Sequence, residues 1–114
     1  MSVSWGRRQR YKFSNGGSLN IWVPPAFPAV YAITYKQDAN NRPKSHTVLF
    51  FGEASDLSQE APALNRRVLE TWADTGGDPE DLFVFVLPMH GSTRGERLRV
   101  HQELVGDYRP AAND

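Results

Sequence analysis

AVYAITY, residues 29–35, and TVLFFG, residues 47–52, decide how this chain folds. The first run is β-branched and aromatic with no polar face, which predicts a strand buried on both sides. The second is as apolar, and its glycine predicts the end of a neighbouring strand. Between them KQDANNRPKSH, residues 36–46, is polar, carries Asn-Asn and a proline, and reads as a long exposed loop. A loop joining two such strands favours an antiparallel pair.

Working outward, DLFVFVLPM, residues 81–89, predicts a third buried strand. Between the second and third strands, a helical turn falls over Asp56–Glu60 and a helix opens around Pro62, a residue at home in a first helical turn. Leu64, Val68 and Trp72 recur along it at four-residue spacing, and Gly76-Gly77 supplies its stop. Thr93-Arg-Gly-Glu96 has the form of a capping box opening a final helix, which must end before Pro110. On that helix Leu98, Val105 and Tyr108 form one apolar stripe, with His101 among them. Towards the N-terminus, the three prolines of VPPAFP, residues 23–28, exclude helix and central strand. Tyr11-Lys-Phe13 and Leu19-Asn-Ile21 alternate around Asn15-Gly16-Gly17, which predicts a short hairpin over about residues 10–22. The expected fold class is α+β: a central three-stranded antiparallel sheet flanked by helices, with an extra N-terminal β-hairpin.

A chain of 114 residues, 39% hydrophobic and 23% charged, has the size and composition of one globular domain, here residues 1–114. No apolar run approaches the roughly 20 residues of a membrane helix, and no apolar stretch succeeds the basic N-terminus as in a secretory signal. The chain has no cysteine, which excludes disulfides and thiolate metal sites and fits a cytoplasmic setting without a membrane partner. The neutral net charge hides a split: residues 1–52 are basic and residues 53–87 acidic. A neutral total argues against strong nonspecific binding of nucleic acid, while the basic half leaves room for a local patch. Arg7, Arg8, Arg10, Tyr11 and Lys12 interleave cations with an aromatic, as phosphate contact plus base stacking requires. A basic, frayed terminus would read the same way. Arg94 and Arg97, one turn apart, extend the patch, whereas Arg99 points elsewhere.

Taken in order, these motifs resemble the GIY-YIG endonuclease superfamily. Its two signature tripeptides read here as Ala29-Val30-Tyr31 and Phe50-Phe51-Gly52. The stretch Gly52-Glu-Ala-Ser-Asp56-Leu57 is similar to the segment at and just beyond the family's second tripeptide. The family's C-terminal pattern E-x-x-L-I-x-x-Y-x-P-x-x-N is matched from His101 through Leu104, Val105, Tyr108 and Pro110 to Asn113. The resemblance covers roughly residues 22–113. It implies chemistry by a tyrosine from each strand, an arginine on the first helix and a glutamate on the last helix holding a divalent metal. A hard cation wants carboxylate oxygen and offsets charge on the phosphate, a phenol can activate water, and arginine grips phosphate with two prongs.

Carried over residue by residue, the set is incomplete. Tyr31 keeps the first tyrosine, while Phe50 takes the second place without a hydroxyl. Counted without gaps from Gly52, the arginine column holds Glu60; an insertion at residues 58–63 would let Arg66 or Arg67 supply it. His101 stands in the metal glutamate's place, and imidazole is a poor ligand for hard Mg²⁺. Glu103 lies about 200° further round the helix and cannot share its face. Asn113 remains, as a structural residue. Plainer readings stand beside these: His101 as a half-buried ring bonded to a neighbour, Tyr31 as a core aromatic, Arg66 and Arg67 as a solvated helix edge near Glu70. The expected function is therefore a nuclease-like domain with most catalytic residues replaced, a non-catalytic module for DNA or RNA or for another protein, with no cofactor. One alternative is an active endonuclease using Mg²⁺ or Mn²⁺ with a rearranged site of Tyr31, His101 and Arg66 or Arg67. The other is a protein-interaction module without nucleic acid.

Overall fold

The computed structural model describes residues 2–36, 46–60 and 65–113. Five strands, β1 (Ser2–Trp5), β2 (Tyr11–Ser18), β3 (Ala29–Lys36), β4 (His46–Ala54) and β5 (Leu82–Pro88), form one antiparallel sheet in the order β1-β2-β5-β3-β4. Among the described residues two helices, α1 (Arg66–Asp74) and α2 (Arg94–Tyr108), complete the α+β architecture with short 3₁₀ turns, among them Leu57–Gln59 and Ala111–Asn113. Among the described residues no helix is long and apolar enough to cross a membrane.

The three strands expected from the sequence lie side by side as β5-β3-β4. Along β3, Ala29, Tyr31 and Ile33 pack with Val68 and Trp72 of α1, while Val30 and Ala32 pack with Val100 and Leu104 of α2. Both faces of β3 are covered, which is why its sequence shows no polar alternation. β4 does not stop at Gly52: it runs on to Ala54, with Gly52 opposite Tyr31. A Cβ at Gly52 would fall on the Tyr31 phenol ring, so this glycine makes room inside a strand instead of ending one.

Among the described residues the sheet has five strands, not three, because the N-terminal hairpin is formed by other segments than expected and joins the sheet. β1 pairs with β2, Trp5 opposite Tyr11, and β2 pairs with β5. The turn lies at residues 6–10, where Gly6 takes φ 121° and Arg10 donates to the carbonyls of Gly6 and Ser4 at 3.2 and 3.0 Å. The Asn15–Gly17 signal makes only a register shift within β2, and Leu19–Ile21 is a 3₁₀ turn. The sheet curls strongly around the α2 side. Trp5 of β1 and Phe51 of β4, from opposite edges, meet edge-on at 6.0 Å, and Trp5 also meets Phe13 at 5.1 Å and Phe85 at 5.4 Å. Such pairs each add about 0.5–1.5 kcal/mol beyond the area they bury.

α1 opens at Asn65, whose side chain accepts from the Val68 N–H at 3.1 Å. The expected start at Pro62, Leu64 of its apolar stripe, and the loop interior at 37–45 lie outside the described residues. The helix closes at Thr75, with Gly76 at φ 78°. The capping box of α2 forms as expected, and Arg109, at φ 45°, ends the helix before Pro110. The buried stripe of α2 is Arg97, Val100 and Leu104; Leu98, Val105 and Tyr108 are only partly buried on its shoulders.

Val84 sits on the central strand β5 and is fully buried. Val84→Asp places a carboxylate there without a cation, at a cost on the order of 4 kcal/mol or more, comparable to the whole stability of a small domain. Thermal melting by circular dichroism should lose its cooperative transition. A melt within a few degrees of the parent's would contradict this account of the core.

Candidate functional site

On the α1 side of the sheet, Tyr31 is 3% exposed and its ring lies 6.1 Å from that of Phe50. The two signature positions thus share a face, but only one carries a hydroxyl. Burial pushes the Tyr31 phenol up to about 12; the negative charges of Glu60 and Glu53 add to this, and a hydrogen bond with the Asn65 side chain opposes it. At neutral pH the phenol therefore keeps its proton, and the charged groups that reach it are acids.

His101 reaches the edge of β4 from α2. Its Nε2 donates to the carbonyl of Phe51 at 2.9 Å; a carbonyl only accepts, so this nitrogen carries the proton. Asn113 donates from Nδ2 to the same carbonyl at 2.9 Å, and its Oδ1 accepts from the Phe51 N–H at 2.8 Å. The Phe51 backbone, turned outward from the sheet, is thus fully satisfied by the C-terminal segment. His101 Nδ1 is buried and has no hydrogen-bond partner among the described residues.

At the start of α2, Arg97 is 4% exposed and donates from Nε to Glu53 Oε2 at 3.1 Å. Its Nη1 donates to the Ser92 carbonyl and hydroxyl at 2.9 and 3.0 Å. Arg97, expected in a surface patch, is instead a buried strut between helix and sheet, because Glu53 gives it a partner. Arg94 is exposed and stands 3.9 Å from the same carboxylate. Arg66 and Arg67 are exposed on α1, and Arg66 binds Glu70 at 3.1 Å. The charge that Tyr31 feels from this side of the chain is that of Glu60, not of a guanidinium.

A divalent metal fits this donor set poorly. Among the described residues no three His, Cys, Asp or Glu side chains gather where they could hold an ion. His101 Nε2 is taken by the Phe51 carbonyl, which leaves its buried Nδ1 as a lone nitrogen donor outside any cluster of three ligating side chains among the described residues, a poor match for a hard cation that wants carboxylate oxygen.

The basic run occupies the β1–β2 turn, which is bound to α2. The Gly6 N–H donates to Tyr108 Oη at 2.8 Å, and the Arg7 N–H to Asp107 Oδ2 at 3.1 Å. Arg7 also donates from Nε to the Asp107 carbonyl, and its guanidinium lies 5.6 Å over the Tyr108 ring. Arg8 and Lys12 are exposed. Tyr11 donates to Glu103 Oε2 at 2.6 Å; burial first, then that hydrogen bond and the Glu103 charge, push its phenol up to about 12. Between turn and helix runs an open groove of about 510 Å³, lined by Arg8, Gln9, Tyr11, Arg99, Gln102 and Glu103 among others. Sequence spacing sets Arg99 apart from the basic patch and singles out neither Gln9 and Gln102 nor Asn65. Asn65 has a signal, an amide three residues before Val68 at the head of RRVLE, obscured by the earlier proline.

No protein-family model matches this chain, and no curated protein matches it. Solved structures do. The crystal structure of the GIY-YIG N-terminal endonuclease domain of UvrC from Thermotoga maritima, a tyrosine-to-phenylalanine point mutant bound to its catalytic divalent cation, superposes with a TM-score of 0.53. It is 20% identical, over 81% of this chain and 88% of that one. A second point mutant of that domain, also bound to the cation, aligns with the same identity and coverage and a TM-score of 0.49. The chain has the fold of a GIY-YIG endonuclease domain.

Tyr31 also predicts a pH dependence. Its folded pKa stands above the ordinary value near 10, so its contribution to stability is complete below pH 10 and is lost as pH rises through about 12. Denaturant unfolding between pH 10 and 12 should show a steeper loss in the parent than in Tyr31→Phe. Equal slopes in the two proteins would mean that the phenol is not desolvated in the fold.

Proposed function

We propose, with the GIY-YIG endonuclease fold as premise, that this chain binds nucleic acid without cutting it. One observation carries the reading: His101, in the place where the family pattern puts a metal-holding glutamate, offers a hard cation no carboxylate oxygen, and no three ligating side chains gather among the described residues. Phosphodiester cleavage needs a cation or a guanidinium to offset the charge that builds on the phosphate. Here the neighbours of Tyr31 are Phe50, Asn65 and the charges of Glu60 and Glu53, which repel an approaching phosphate. The binding half of the reading draws on the endonuclease domain that shares the fold and on the exposed cations Arg8, Lys12 and Arg94.

Plasmid and branched-DNA cleavage with Mg²⁺ or Mn²⁺, run beside an oligonucleotide titration at rising salt, tests both halves. The expected result is no cutting, together with binding that weakens linearly in log–log form as salt rises. Cutting that Tyr31→Phe abolishes would restore the active-endonuclease reading. No binding even at low salt would leave a protein-interaction module.

A further inference from the structure

We infer that the groove between the β1–β2 turn and α2 is the site where this chain takes a single-stranded nucleic acid. The inference rests on the nucleic-acid reading above, and it moves the contact off the Tyr31 face to the α2 side of the sheet. A phosphate lies against Arg8 and Arg99, and an unpaired base turns its edge to the amides of Gln9 and Gln102.

Four observations support it. First, the groove is held open by the fold. Gly6, Arg7 and Tyr11 are each hydrogen-bonded across to Tyr108, Asp107 and Glu103, so little ordering remains for a ligand to impose. Second, its two acids are engaged while two of its cations are not. Glu103 accepts the Tyr11 hydroxyl and Asp107 accepts the Arg7 N–H, whereas Arg8 and Arg99 have no hydrogen bond or ion pair among the described residues. With Arg7 and Arg10 beside them, the local balance favours an anion.

Third, Gly106 lines the groove from the last turn of α2, and a Cβ built there meets nothing within 4 Å. Glycine weakens a helix, and no packing within the chain requires it at this point. A bare stretch of helix lets a ligand approach the backbone closely. Fourth, about 510 Å³ is room for a nucleotide unit but not for a duplex, and the groove is open enough for a strand to pass through. An amide reads a base edge by giving and taking hydrogen bonds, which an unpaired base permits.

Fluorescence anisotropy with a labelled 12-mer DNA, as single strand and as duplex, with a free mononucleotide as competitor, tests the assignment. The single strand should bind at least tenfold more tightly than the duplex, and the mononucleotide should compete only at far higher concentration. Arg8→Ala with Arg99→Ala should weaken the single strand at least tenfold and reduce the log–log salt slope by about 0.7, the loss of one neutralised phosphate. Gly106→Leu should also weaken binding while keeping or raising Tm, so that a folding defect cannot explain the loss. Equal binding of duplex, or a mononucleotide that binds as tightly as the 12-mer, overturns the groove. So does unchanged affinity in both variants while the parent still binds. If the parent binds no oligonucleotide at all, the nucleic-acid reading falls with it.

Discussion

The backbone of Phe51 faces away from β3, on the open edge of β4, and the chain closes that edge with its own C-terminal segment. Asn113 takes both the N–H and the carbonyl, and His101 adds a second donor to the carbonyl. A buried polar group left unpaired costs about 1–3 kcal/mol, and an exposed strand edge invites pairing with other chains. The Phe51 side chain meets Trp5, Phe13 and Tyr108, so one residue joins the curled sheet, α2 and the terminal turn. His101 is thus tied to the fold through Nε2.

The two sides of the sheet differ in charge as well as in packing. On the α1 side the buried phenol of Tyr31 feels the acids Glu60 and Glu53. On the α2 side the β1–β2 turn gathers Arg7, Arg8 and Arg10 against a helix that presents Arg99 and Gln102. Glu53 belongs to both sides in effect: its carboxylate holds Arg97 in the buried start of α2 and adds negative charge at Tyr31. The proposed groove follows this contrast: the charges at Tyr31 are acids, whereas cations gather at the β1–β2 turn.

Much of the fold is legible in the sequence because it is written locally. β3, β4 and β5 declare themselves as apolar runs, and the Thr93–Glu96 capping box fixes the start of α2. The features that the sequence hides depend on partners distant along the chain. The hairpin turn at Gly6 carries no Asn-Gly signal and is held by Arg10, while the true Asn-Gly pair makes only a bulge against β5. Arg97 looks like a surface cation because Glu53, its partner, is 44 residues away. Half-burial of His101 and its bond to a neighbour can be expected from the stripe of α2. That the neighbour is the Phe51 carbonyl cannot, since it depends on how the helix lies against β4. The groove is invisible for the same reason: its walls come from opposite ends of the chain.

Manganese titration followed by proton NMR bears most directly on the central claim that this scaffold has no seat for a divalent ion beside His101. The account predicts no saturable broadening of the His101 or Tyr31 ring resonances as Mn²⁺ is added. Broadening of both rings that saturates with added ion and is reversed by excess Mg²⁺ would place a metal at that face and contradict it.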